Sequence, residues 1–210
     1  MTDEYNLDEI VEDEPQIYVV LLKAGRTKKI NLSIVSQVLG YADSSVMMVT
    51  FSQPAPYLSD YYAKNGVDME RVTFIDTITK FAGGSIPEDM DNATFLNTPG
   101  DLTGLGIILT ETLKKVQKDN FFVVFDSINA MLIYLDSGKV SRFLHFMTSK
   151  LRLQGLSGVI MAVERGLDPI LMTQLESFAD EILDLTEAPS SVSKISELRQ
   201  KTQNIKDSDE

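Results

Sequence analysis

Two hydrophobic periods alternate along the chain. Six short runs, "IYVVLL" (17–22), "SVMMVTF" (45–51), "RVTFID" (71–76), "FFVVFD" (121–126), "SGVIMAV" (157–163) and "DEILDL" (180–185), have the length and residue types of strands. The first, second, fourth and fifth are apolar almost without interruption, which suits strands covered on both faces, as in a parallel sheet. Between them the spacing changes to three and four. Leu102, Leu105, Leu109, Leu113 and Val116 form one stripe, and Val140, Phe143, Leu144, Met147 and Leu151 form another. A succession of strands and helices in this order predicts an α/β domain with three layers, a mainly parallel sheet wound in both directions. Residues 80–100 show neither period and read as a long loop, the kind that is functional or disordered in a compact domain.

Composition narrows the classes. The chain has 210 residues, 43% of them hydrophobic, enough for one domain with a substantial core. The pattern places that domain at 16–188, between tails at 1–15 and 189–210. The first tail has seven acidic and no basic side chains, so it is expected to bury little and to be flexible; the last is polar. There is no cysteine and a single histidine, His145, which excludes disulfides and thiolate metal sites and argues against a histidine-based one. His145 sits beside an apolar stripe and reads as a surface or boundary residue. A net charge of −12 argues against a broad nucleic-acid surface. No apolar run is long enough to cross a bilayer and no leader precedes the domain, so a cytoplasmic protein is expected.

In an open α/β sheet, ligands sit beyond the carboxyl ends of the strands. The residues there carry the functional question. After the first strand come Lys23, Gly25, Arg26, Thr27, Lys28 and Lys29, with four cations in seven residues at the start of a helix. A helix N-terminus favours an anion, so these are candidate anion- or nucleotide-binding residues, although a solvated turn is the ordinary reading. Asp76 and Thr77 follow the third strand, where Asp-Thr is also common turn chemistry. Asp126 and Ser127 follow the fourth. An aspartate at that place often caps the next turn or helix, and that structural role is the expectation here. Glu164 and Arg165 follow the fifth as a candidate ion pair or helix start.

"GVDMERVTFIDTIT", "FFVVFDSINAML" and "VSRFLHFMTSKLRLQGLSGVIMAVE", in this order and spacing, resemble the blocks of RecA-like ATPases of the KaiC-like group, relatives common in archaea. The resemblance covers about 17–185 and implies the P-loop NTPase fold. It also implies a phosphate-binding loop, G-x-x-x-x-G-K-[ST], at the first strand-to-helix junction. The residues at those eight places are Lys23, Ala24, Gly25, Arg26, Thr27, Lys28, Lys29 and Ile30, and Lys29 alone matches. Ile30 stands where a hydroxyl would hold Mg²⁺. Ser52 and Gln53, followed by Pro54, stand where the family has an acidic pair that activates water, and an amide cannot take a proton. Asp126 does match the family's magnesium-holding aspartate. Asp126, Ser127 and Asp76 are therefore candidate vestigial metal or cleft residues, with no catalytic residue and no metal site expected.

Three functions stay open. The first is a non-hydrolysing relative of these ATPases, a regulatory or assembly protein without cofactor that works through protein contacts. The second is a nucleotide binder that uses the cationic turn atypically, with ATP and Mg²⁺ held in an unusual way. The third is a DNA-recombination accessory factor. A protein partner or a homodimer is expected, with 80–100 and the acidic tail as contact elements, and nucleic acid and membrane are not.

Overall fold

The computed structural model describes residues 7, 10, 14–116 and 120–186. Seven strands form one sheet: β1 (Ile17–Leu22), β2 (Ser45–Thr50), β3 (Val72–Asp76), β4 (Ala93–Phe95), β5 (Phe121–Asp126), β6 (Ser157–Val163) and β7 (Glu181–Leu185). Their order is β4-β3-β2-β5-β6-β1-β7, and every neighbouring pair is parallel. Six helices connect them: α1 (Thr27–Leu39), α2 (Ala55–Lys64), α3 (Leu102–Leu113), α4 (Ile128–Met131), α5 (Ser137–Leu153) and α6 (Pro169–Phe178).

Alternation along each strand builds two cores. In β1, Ile17, Val19 and Leu21 join the core under α3 to α6, while Tyr18, Val20 and Leu22 join the one under α1 and α2. Both faces of the central strands are covered, which is why β1 is apolar throughout and why β2, β5 and β6 carry polar residues only at their ends. The links that step from β1 towards β4 place their helices on one face. Those that return place theirs on the other, as right-handed crossovers require.

The predicted strands are found within one residue. The expected loop at 80–100 is broken by β4, a three-residue edge strand, because Phe74 N and Leu96 N bond to Asn92 and Asp76 carbonyls and hold the segment against β3. α3 ends at Leu113, so Val116 packs against the core from beyond the helix. Most of the two tails lies outside the described residues. Leu7 and Ile10 are buried in the core under α1 and α2, so the acidic segment does not merely solvate the chain. No described helix is long and apolar enough to cross a membrane.

Arg71, at the entry to β3, holds the turn after α1. Its guanidinium donates to the carbonyls of Leu39 (2.9 Å), Tyr41 (2.7 Å) and Ser44 (2.8 Å) and to Ser44 Oγ (2.6 Å). A helix end leaves carbonyls without intrahelical donors, and the planar fork serves several at once. Arg71→Ala is expected to lower stability by about 2 kcal/mol in urea unfolding, with Arg71→Lys restoring less than half. A loss below about 0.5 kcal/mol would contradict this role.

Candidate functional site

The parallel sheet brings the carboxyl ends of its seven strands to one edge. Two topological switch points lie there, between β1 and β6 and between β2 and β5, because the helices that follow each pair pack on opposite faces. Both are bridged. Glu164 N donates to Leu22 O at 3.1 Å across the first, and Ser52 Oγ donates to Asp126 Oδ2 at 3.2 Å across the second.

The cationic junction is a tight turn. Arg26 N donates to Lys23 O at 3.3 Å, which closes a four-residue turn, and Gly25 takes φ +82° within it. That left-handed position is what the glycine supplies. α1 starts immediately, with Arg26 as N-cap and no side-chain cap bond. Lys28 leaves the turn altogether: its ammonium bonds to Tyr57 Oη and lies 4.4 Å from the Tyr57 ring centroid and 3.9 Å from that of Tyr61, both on α2. Lys23 and Lys29 are exposed, and Arg26 and Thr27 half-buried. Ile30 is fully buried among Ile34, Val35 and Val38, so it faces the core.

Asp76 is fully buried and fully bonded. Its Oδ2 accepts from Ala55 N at 2.6 Å and Thr79 Oγ1 at 2.5 Å, and its Oδ1 from Ile78 N at 2.7 Å and Thr79 N at 2.8 Å. The carboxylate thus sits at the N-terminus of α2, where the dipole favours negative charge, and also shapes the turn after β3.

Asp126 differs in kind. It is 1% exposed, and its Oδ1 has no hydrogen-bond partner. It does not cap the following helix: Ser127, buried, is the N-cap of α4, with no side-chain cap bond. The expected capping role is therefore corrected. Asp126 points instead to the face of α1 and α2, where Asn31 and Tyr62 are buried, Tyr62 Oη donates to Asn31 Oδ1, and Asn31 Nδ2 lies 3.7 Å from Met48 Sδ. Burial pushes the Asp126 carboxyl up to about 6, while Ser52 and Asn31 pull it the other way. Burial first, then the Asp126 charge, also raises the Tyr62 phenol well above its ordinary value.

Ser52 and Gln53 are half-buried, and Thr50 Oγ1 donates to Gln53 O at 2.6 Å, folding the segment back on itself. Glu164 and Arg165 are exposed, and the next helix is started by Asp168, whose carboxylate accepts from Leu171 N at 2.9 Å. His145 is exposed, its ring 5.1 Å from that of Phe178. Among the described residues, no cluster of three or more His, Cys, Asp or Glu could hold a metal.

The structure thus joins Asp126 to Ser52 and leaves Asp76 in a separate network beside α2. Sequence reasoning missed Asn31 and Tyr62. Asn31 follows Ile30 and precedes Val35 by four, so a polar residue inside an apolar stripe was the available signal. Asn129 was missed too. Its amide donates to Val163 O at 2.9 Å and accepts from Val163 N at 2.6 Å, fastening α4 to the end of β6.

Comparison with known proteins places the fold. A KaiC-like protein, PH0186, from the hyperthermophilic archaeon Pyrococcus horikoshii OT3 superposes with TM-score 0.57 at 17% identity, over 89% of this chain and 80% of that one. An uncharacterized protein of Pyrococcus horikoshii, PH0321, solved in complex with an unknown peptide, gives 0.56 at 16%, over 82% and 78%. The fold is accordingly the KaiC-like, RecA-type α/β fold. No curated protein matches the chain. A family profile described as "Family of unknown function (DUF7504)" matches residues 20–185, which includes every strand but the first residues of β1, and the chain belongs to that family.

Proposed function

We propose that the chain is a RecA-type domain that does not hydrolyse ATP and that serves as a regulatory or assembly protein through contacts with other proteins. The observation that carries this reading is the turn at Lys23–Arg26. A phosphate loop works by presenting several backbone N–H groups inward around the anion. Here the Arg26 N–H closes the turn on Lys23 O, and the side chain at Lys28 rests on two tyrosines. Buried Ile30 offers no hydroxyl to a metal, and Ser52 and Gln53 offer no carboxylate to water. In this reading the junction is a degenerate phosphate loop.

Steady-state ATP turnover of the full chain with Mg²⁺ is expected to equal buffer. Ile30→Thr alone should not raise it, since the turn stays closed. A rate of about 1 s⁻¹ or more would overturn the reading, because that is ordinary enzyme territory.

A further inference from the structure

The outer helical layer holds a groove that the reading above leaves unused. It lies between α3 and α5, encloses about 380 Å³, and is walled by Leu102, Gly106, Ile107, Thr110, Phe143 and Phe146. Ile107 and Phe146 are 53% and 51% exposed, and Leu153, two turns along α5 from Phe146, is 88% exposed. Single exposed apolar residues are ordinary, but a contiguous apolar groove marks an interaction site.

Its charge is unlike that of the rest of the chain. α5 bears Lys139, Arg142, Lys150 and Arg152 and no carboxylate in 17 residues, within a chain of net charge −12. Arg142 and Lys150 lie four residues before and after Phe146, so they share its face. The Lys150 ammonium is 5.8 Å from the Phe146 ring centroid, and Lys114 stands at the α3 wall, where Glu111 is the one carboxylate among the lining residues.

We propose that this groove docks an acidic amphipathic helix of a partner protein, its apolar residues between Ile107 and Phe146 and its carboxylates against Arg142, Lys150 and Lys114. The inference rests on the reading that the chain works through protein contacts. A groove between two helices matches the ridge of a third, and i, i+3/i+4, i+7 anchors suit it. Cations flanking an apolar centre select an acidic partner and steer its approach. The chain's own acidic N-terminal segment is a poor occupant, because Leu7 and Ile10 are buried in the core on the opposite face of the sheet.

The test uses the full chain and a fluorescein-labelled helical peptide of about five turns, with leucines at i, i+4, i+7 and i+11 and glutamates on the other face. A counterpart with lysines for glutamates is the control. Fluorescence anisotropy should show the acidic peptide binding at least about tenfold tighter, with Ile107→Ser and Phe146→Ser each weakening it about tenfold. Arg142→Glu combined with Lys150→Glu should reverse the preference. All four positions are at the surface, and circular dichroism checks that the variants fold. Equal affinity for the two peptides, or undiminished binding by the groove variants, would overturn the proposal. So would a dimer in sedimentation that Phe146→Ser abolishes, since the occupant is then a second copy. ATP turnover measured on the same samples separates the two readings: turnover with peptide selectivity intact defeats only the absence of hydrolysis, and lost selectivity without turnover defeats only the docking site.

Discussion

Asp76→Ala should destabilise the protein by about 4 kcal/mol, the largest loss expected from any single change at the strand edge. The carboxylate receives four hydrogen bonds, three of them from backbone N–H groups of Ala55, Ile78 and Thr79, and the residue is fully buried. Truncation strands those donors away from water, each at a cost of about 1–3 kcal/mol before relaxation. It also removes negative charge from the start of α2. Asp76→Asn keeps the shape but turns one acceptor into a donor facing Ala55 N, Thr79 Oγ1 or their neighbours, so it should recover only part of the loss. Urea unfolding of both variants at neutral pH checks this, and a loss under about 1 kcal/mol for Asp76→Ala would show that the network is dispensable.

Asp126→Asn should do the opposite above pH 7, stabilising the protein by about 2–3 kcal/mol. Burial raises the Asp126 carboxyl from an ordinary 3.8 to about 6. Between those values the folded chain holds a proton that the unfolded chain has released. The contribution of Asp126 to stability is therefore fully present below about pH 4, falls as the pH rises towards 6, and stays low above it. The asparagine variant cannot titrate and lacks this fall. The difference in unfolding free energy between wild type and variant should be near zero or slightly negative at pH 4, grow through pH 6, and level off. A difference independent of pH from 4 to 8 would mean that the carboxylate is solvated in the folded state.

The strands were legible because a parallel strand covered on both faces must be apolar throughout, and "FFVVFD" or "IYVVLL" allows little else. β4 was not, since an exposed three-residue edge carries no such run. The candidate edge was legible as a set of positions but not as a set of contacts. Asp76 was recognisable as turn chemistry, yet its partner Ala55 lies 21 residues away and meets it only because β2 and β3 pair. Asp126 read as a cap because an aspartate that ends a strand commonly caps the next turn or helix. Its true surroundings depend on the side of the sheet on which α1 and α2 pack, which places Asn31 and Tyr62 near it. Arg71 gave no local signal, since its four acceptors belong to the last residue of α1 and the turn after it.

The closed turn at Lys23–Arg26 is tested most directly by calorimetric titration of the full chain with ATP in the presence and absence of Mg²⁺. The turn predicts no saturable binding tighter than about 1 mM, which corresponds to about −4 kcal/mol, and no difference between the two titrations. Stoichiometric micromolar binding that requires Mg²⁺ and is lost in Lys29→Ala would contradict it, because that lysine would then be reaching phosphates through a loop that opens.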